Sequence, residues 1–247
     1  MIPRLLSAIW VTRMLNVNNL NAYYGESHVL KDVSIAVQEG EVVVMLGPNG
    51  HGKSTLLKSI CGLVDKKEGK ITYQNRDING LATEKLVDLG VIYISENREL
   101  FPYMTVLENL KLGAYTKNAR AHEKKNLERV FALFPRLVER QKQIASTMSG
   151  GEARMLAVAR GLMSNPDFLC IDEPSLGLQP SLRHEIFSTI KQINEQGKTV
   201  LLVEQNIPQI AELADRIYVM EEGQITFEGS KDEALGNEAL KEVFLGM

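Results

Sequence analysis

Residues 47–54 have the composition and spacing of a phosphate-binding loop, G-x-x-x-x-G-K-[ST]. The loop directly follows the apolar run 42–46 and precedes a segment with helical spacing of leucine and isoleucine. A buried strand that ends at Gly47 and a helix that begins at Lys53 would point successive backbone N–H groups at one place, where they can bind phosphate oxygens. A chance glycine-rich turn rarely has both neighbours, so the segment predicts a nucleoside triphosphate site.

The side chains of this loop have separate predicted tasks. Lys53 would reach the terminal phosphates as a point charge during catalysis, and Ser54 would offer its hydroxyl to Mg²⁺. The glycines would allow the backbone to approach the phosphates closely. The candidate nucleotide-binding residues of the loop are Gly47, Pro48, Asn49, Gly50, His51, Gly52, Lys53, Ser54 and Thr55.

Two adjacent acids follow a second apolar run, residues 168–171. Asp172 is a candidate ligand of Mg²⁺, through water. Glu173 points in a different direction along the chain and is the candidate catalytic residue that polarises the water attacking the γ-phosphate. An ordinary strand end with solvated acids is the alternative, and the complete phosphate loop makes it the weaker one.

A turn of small residues, Met148-Ser149-Gly150-Gly151-Glu152, opens a predicted helix between these two segments. The amino end of a helix with two glycines can bind an anion. Taken alone, such a motif is usually a simple helix cap.

The composition favours one large globular unit, or one domain with a subdomain. The chain has 247 residues, of which 44% are hydrophobic and 24% charged, and its net charge is -3. This balance lacks the positive excess of a nucleic-acid-binding protein. The basic cluster at Lys117, Arg120, Lys124 and Lys125 is interpreted as a solvated helix face. Because the chain has only two cysteines, we expect no disulfide framework, and we predict a reducing compartment.

The amino-terminal segment is apolar but short. Residues 1–13 fall below the roughly 20 residues that span a bilayer, and no small-residue cleavage pattern follows them. They are predicted to be a tail, disordered or preceding an alternative start at Met14, and the domain is predicted to cover 14–247. Because no other segment approaches membrane length, we expect any membrane association to go through a partner.

The order of predicted elements indicates an α/β fold. Two strand-like runs, 15–24 and 29–37, form an antiparallel flank before the strand of the phosphate loop. Strands then alternate with helices, which implies a mainly parallel sheet covered on both faces. Apolar residues at helical spacing interrupt this alternation and predict an inserted helical subdomain at about 97–150. A hairpin from 216 to 227 and a short helix to Met247 close the chain.

The order of these motifs resembles the ATPase subunits of ABC transporters over nearly the whole chain. The resemblance implies a P-loop NTPase core with a mixed, mainly parallel sheet, an N-terminal antiparallel β subdomain and an inserted α-helical subdomain, with ATP and Mg²⁺ as cofactors. It also implies that the small-residue turn binds the γ-phosphate of ATP held by the opposite subunit. The residues of that turn are Ser149, Gly150, Gly151 and Glu152. Tyr24 matches the adenine-stacking aromatic residue, with Tyr23 as the competing choice.

Several positions depart from the general family and narrow the branch. Glu96 stands where many members have glutamine and is a candidate metal-facing residue, while Gln179 stands where aspartate is common. Gln205 takes the place of the usual catalytic histidine, and an amide can donate a hydrogen bond but cannot carry a proton. Together with residues 101–102, 105–106, 108–110 and 113–115, these variants resemble the ATPases of branched-chain amino acid importers.

This resemblance implies an ATP-hydrolysing subunit on the cytoplasmic face of the cell membrane. It would drive import of branched-chain or related small amino acids through separate permease subunits, with an external substrate-binding protein as an indirect partner. Gln179 and Gln205 suggest pairing with a second, non-identical ATPase. The alternatives are the ATPase of a lipid exporter or of a urea or amide importer. A clamp ATPase on nucleic acid is less favoured, because such proteins contain long coiled coils and this chain has no room for one.

Overall fold

The computed structural model describes residues 13–205 and 210–240. The predicted tail, apart from Arg13, and the carboxy-terminal end of the predicted final helix lie outside the described residues. Strands β1 (Arg13–Tyr24) and β2 (Ser27–Gln38) pair antiparallel. They belong to a four-stranded sheet of order β2-β1-β4-β5, in which β4 is Lys66–Tyr73 and β5 is Arg76–Asp77. The predicted antiparallel flank is therefore confirmed.

A second sheet contains six strands in the order β10-β9-β3-β8-β7-β6. Its strands are β3 (Val42–Leu46), β6 (Val91–Ile94), β7 (Phe168–Asp172), β8 (Thr199–Glu204), β9 (Arg216–Glu221) and β10 (Gln224–Ser230). All pairs are parallel except the β9–β10 hairpin. Every residue of β3, β7 and β8 is buried, which explains their continuous apolar runs. The predicted mixed, mainly parallel sheet is confirmed.

The helices cover both faces of this sheet and form the inserted segment. They are α1 (Lys53–Ile60), α2 (Thr83–Asp88), α3 (Val106–Gly113), α4 (Lys117–Ala121), α5 (Glu123–Leu133), α6 (Pro135–Glu139), α7 (Gly150–Leu162), α8 (Pro180–Glu195), α9 (Ile210–Leu213), α10 (Lys231–Gly236) and α11 (Glu238–Leu240). Between 97 and 150 the elements are helical apart from a single bridge joining Thr105 and Ile144. The boundaries of a helical subdomain there stay a prediction.

Strand β3 shows how the core is divided. Its residues Val42, Val44 and Leu46 belong to one apolar cluster, shared with α3, α7 and α8. Val43 and Met45 point to the other cluster, which includes α1 and the antiparallel sheet. This alternation follows from the two-residue period of a strand. Burial on both faces therefore fixes the end of β3, where the phosphate loop begins.

No helix among residues 13–205 and 210–240 is both long and apolar enough to cross a membrane.

Candidate nucleotide-binding site

The phosphate loop lies between the end of β3 and the start of α1, as predicted. Gly47 has a φ of 154°, and a Cβ atom there would lie 2.2 Å from the carbonyl oxygen of Met220. Gly52, which precedes the first residue of α1, has a φ of 104°. Because side chains at these two positions would clash or strain the backbone, the loop requires glycine at both.

The Lys53 side chain is buried inside the curve of this loop. Its Nζ atom donates hydrogen bonds to the carbonyl oxygens of Gly47, at 2.7 Å, and Pro48, at 2.9 Å. The same atom lies 3.9 Å from Oε1 of Glu173. Burial lowers the pKa of Lys53, while the charges of Glu173 and Asp172 oppose that shift. The ammonium group is thus held at the loop, where phosphate would give it further partners.

Asp172 is held by two hydroxyl groups. Ser54 Oγ donates to its Oδ1 at 2.9 Å, and the Tyr93 hydroxyl donates to its Oδ2 at 2.8 Å. Burial and the neighbouring Asp172 charge raise the pKa of Tyr93, so this hydroxyl keeps its proton. The adjacent oxygens of Ser54 and Asp172 are the ligand type that Mg²⁺ prefers. These two residues therefore fit the predicted metal site.

Glu173 has different partners from those of Asp172. Its backbone is in the left-handed region, with a φ of 43°, and its N–H donates to the carbonyl oxygen of Val203 at 3.0 Å. The Gln205 side-chain amide donates to its Oε2 atom. Burial raises the pKa of Glu173, and the Gln205 hydrogen bond and the Lys53 charge act against this shift. A non-glycine residue in this conformation stores strain and is common at functional sites.

Lys53, Ser54 and Glu173 converge on one open pocket of about 270 Å³. Its lining comes from the phosphate loop, the segment after β6, and the ends of β7 and β8: Asn49, Gly50, Lys53, Ser54, Glu96, Glu173, Leu176 and Gln205. The structure thus brings Glu96 and Gln205 to the same place as the loop.

The turn at Ser149 does not line this pocket. Ser149 Oγ accepts a hydrogen bond from the Glu152 N–H at 3.3 Å, and Glu152 Oε2 accepts one from the Ser149 N–H at 3.0 Å. The second of these bonds is the main cause of the lowered pKa of Glu152. Ser149 and Gly150 are exposed, whereas Gly151 packs against Leu182. Within this chain the turn is therefore a helix cap with its amino end facing outward.

Of the two candidate aromatic residues, Tyr24 is the more available. Its side chain is 48% exposed. The Tyr23 ring stacks on His28, with 4.4 Å between ring centroids, and Lys66 Nζ lies 4.6 Å from the Tyr23 centroid. Tyr24 does not line the phosphate pocket, and its contact with adenine stays a prediction.

Sequence reasoning assigned no role to two residues near the site, Tyr93, which donates a hydrogen bond to Asp172, and Glu204, which is itself a buried carboxylate. Tyr93 lies on the strand next to β7 in the sheet. Glu204 is 3% exposed and accepts a hydrogen bond from the Ser175 N–H at 3.0 Å. Burial is the main reason that the pKa of Glu204 rises to about 7. Its position at the end of an apolar strand, like that of Asp172, was an available signal.

The chain was compared with known families and proteins. The family model described as ABC transporter matches residues 30–176. The high-affinity branched-chain amino acid transport ATP-binding protein BraG of Pseudomonas aeruginosa is 42% identical, over 94% of this chain and 100% of the relative. The probable branched-chain amino acid transport ATP-binding protein LivF of Archaeoglobus fulgidus is 36% identical, over 95% of this chain and 99% of the relative.

Solved structures agree with this assignment. A nucleotide-free ATP-binding cassette from an ABC transporter has a TM-score of 0.82 and 30% identity, covering 95% of this chain and 100% of the other. The ADP conformation of the cassette MJ1267 has a TM-score of 0.80 and 30% identity, covering 94% and 98%. A dimeric cassette, MJ0796, has a TM-score of 0.77 and 28% identity, covering 88% and 99%. The chain therefore belongs to the ABC transporter family, as one of its ATPase cassettes.

Proposed function

We propose that this cassette powers the import of branched-chain or related small amino acids through separate permease subunits. The similarity to BraG and LivF, which are named for branched-chain amino acid transport, supports this substrate class. The observation that carries the proposal is the convergence of Lys53, Ser54 and Glu173 on one pocket, with Asp172 bonded to Ser54. This is the arrangement that hydrolysis of a nucleoside triphosphate needs.

The residues around the pocket have distinct tasks in this reaction. Backbone N–H groups of the loop and the Lys53 ammonium bind the phosphates, and Ser54 and Asp172 would hold Mg²⁺. Bound Mg²⁺ would neutralise charge on the phosphate oxygens. Glu173 accepts the proton of the attacking water, and its raised pKa brings it closer to neutral pH. The Gln205 amide orients the Glu173 carboxylate but cannot itself take a proton.

A second ATPase subunit would complete the site. The exposed amino end of α7 at Ser149 and Gly150 does not line the phosphate pocket of its own chain. A helix amino end binds anions. In a pair of cassettes it would contact the γ-phosphate held by the opposite subunit. The similarity to a dimeric cassette supports pairing, and Gln179 and Gln205 support a partner that is not identical.

Exposed apolar side chains between residues 101 and 115 support a permease partner. They are Phe101, Tyr103, Met104, Leu112 and Tyr115, of which Tyr103 is 89% and Tyr115 70% exposed, and together they are called the aromatic patch. Large exposed apolar patches mark interaction surfaces. The patch begins five residues after Glu96, which lines the pocket, so a change at the γ-phosphate could move it. A permease bound here would place the cassette on the cytoplasmic face of the membrane, opposite an external substrate-binding protein.

Purification of the intact transporter through a tag on this chain tests the proposal. We expect permease subunits and a second, different ATPase to co-purify. In proteoliposomes supplied with the binding protein and internal ATP, leucine uptake should exceed urea or lipid transport, and Lys53→Ala should abolish it. Two copies of this chain without another ATPase would contradict the heteromer. ATP-driven movement of urea or lipid in place of leucine would contradict the substrate class.

A further inference from the structure

The His51 side chain turns away from the nucleotide pocket toward the β9–β10 turn. Its Nδ1 atom accepts a hydrogen bond from the Glu222 N–H at 3.0 Å. Its backbone carbonyl accepts a second bond, from the Gly223 N–H, also at 3.0 Å. Two successive amides of one turn thus bind one residue of the phosphate loop, although the motif places no demand on the residue at this position.

The turn that makes these bonds is a firm support. Glu222 and Gly223 both have left-handed backbones, with φ values of 48° and 81°, as a tight two-residue hairpin turn requires. The Gly223 carbonyl accepts a hydrogen bond from the Lys31 N–H at 2.8 Å, and a Cβ on Gly223 would lie 2.0 Å from the carbonyl oxygen of Val29. The turn is therefore also packed against β2, the strand that follows Tyr24.

Gly47 and Gly52, near the two ends of the phosphate loop, pack on the neighbouring strands β9 and β2. Added Cβ atoms on Gly47 and Gly52 would lie 2.2 Å from the Met220 carbonyl oxygen and 2.8 Å from Leu30 Cδ2, respectively. Between these two closely packed ends, the His51 imidazole joins the middle of the loop to the β9–β10 turn by a side-chain hydrogen bond. To accept at Nδ1, the ring must be neutral with its proton on Nε2.

We propose that His51 is a positioning residue that fixes the phosphate loop on the β9–β10 turn, so that the loop amides and Lys53 are arranged for ATP before it binds. The inference rests on the proposed ATP hydrolysis at this site. Preorganisation lowers the free-energy cost of ordering the loop upon binding. The His51 imidazole acts through the loop backbone, and this side chain does not itself contact the phosphates.

Replacement of the imidazole by two side chains of similar branching tests this proposal. His51→Asn keeps an acceptor at the position of Nδ1, whereas His51→Leu fills the space without one. One neutral hydrogen bond is worth about 0.5–1.5 kcal/mol. We therefore expect His51→Leu to raise KM and Kd for ATP by about three- to tenfold with kcat nearly unchanged. His51→Asn should stay within about twofold of the parent, which a general loss of packing would not allow.

His122→Leu is the matched control, because His122 Nδ1 also hydrogen-bonds the backbone, donating to the Asn118 carbonyl at 2.9 Å, but lies in the helical insert. It should leave KM for ATP unchanged. Equal ATP affinity in the parent and His51→Leu would overturn the positioning role, as would equal losses in His51→Leu and His51→Asn. A parent chain that neither binds nor hydrolyses ATP would instead overturn the proposed function.

Discussion

Three buried carboxyl groups lie at the carboxyl ends of the adjacent strands β7 and β8, and each has different hydrogen-bond partners. Asp172 accepts from two hydroxyl groups. Glu173 accepts from an amide and lies near an ammonium group. Glu204 has the backbone N–H of Ser175 as its partner and is nearly inaccessible to solvent. Three carboxyl groups at similar strand ends thus have different electrostatic surroundings, because different groups contact each of them.

Glu204 makes the stability of the fold depend on pH. Because its pKa rises to about 7 in the folded protein, the folded chain keeps a proton that the unfolded chain releases near pH 4.5. Stability should therefore fall as pH rises through this window. Glu204→Gln keeps an acceptor for Ser175 and removes the charge, so from pH 5 to pH 8 the variant should gain about 2 kcal/mol over the parent.

Urea unfolding at several pH values between 5 and 8 measures this difference. Glu195→Gln, which changes an exposed residue at the end of α8, serves as the control and should leave the pH profile of the parent unaltered. If the stability of the parent and of Glu204→Gln varies with pH in parallel, Glu204 ionises alike in the folded and unfolded chain, which would contradict this prediction.

At the scale of elements, helix α3 connects the aromatic patch to α7. Buried Asn109 accepts a hydrogen bond from the Phe101 N–H at 2.9 Å and donates to the Thr105 carbonyl at 3.0 Å. At the other end of α3, a Cβ on Gly113 would lie 2.0 Å from the Arg160 carbonyl oxygen of α7. The glycine thus permits close packing of α3, which contributes Leu112 to the patch, on α7, which begins beside Ser149.

Gly113→Ala should force these helices apart. We expect it to lower the free energy of unfolding by about 1–3 kcal/mol, because the obstructing atom is backbone and cannot rotate away. Gly236→Ala, at the end of α10 with no heavy atom within 4 Å of the added Cβ, should be neutral or slightly stabilising. Denaturant unfolding of both variants measures the contrast, and equal stabilities would refute the close α3–α7 contact.

At the scale of the whole molecule, the phosphate pocket and the exposed helix end at Ser149 are separate. The pocket lies at the carboxyl ends of β3, β7 and β8, while the exposed cap at Ser149 is outside that pocket. We propose that pairing of two cassettes joins them, each giving its helix end to the nucleotide of the other.

Glu173→Gln should therefore trap an ATP-bound pair. Loss of the general base is expected to slow steady-state hydrolysis by about 10²–10⁴-fold, while ATP still bridges the subunits. Light scattering of the variant mixed with the second ATPase and ATP should report the summed mass of the pair, and adding Ser149→Arg to the same variant should return both subunits to their single-chain masses. Undiminished hydrolysis in Glu173→Gln would remove Glu173 from the catalytic role, and a pair that survives Ser149→Arg would remove Ser149 from the interface.

The sequence by itself determined the fold class and the family, and both predictions are confirmed. Fully buried strands need continuous apolar runs, and a phosphate loop needs its glycines in fixed positions, so local patterns contain this information. Strand β4 contains less of this local information, because the residues that follow its start at Lys66 are polar and mostly exposed. The individual assignments of site residues stay predictions.

Only the tertiary structure decided the partners of the chemical groups. Ser54 and Asp172 are 118 residues apart in the chain, and His51 and Glu222 are 171 apart. No local period in the sequence specifies such pairs, because they depend on which strands are neighbours and which turn packs on the loop. The same packing sets Tyr93 on Asp172 and buries Glu204 against Ser175. Burial and hydrogen bonding, which act through space, therefore determine the chemistry of residues whose identities the sequence already displays.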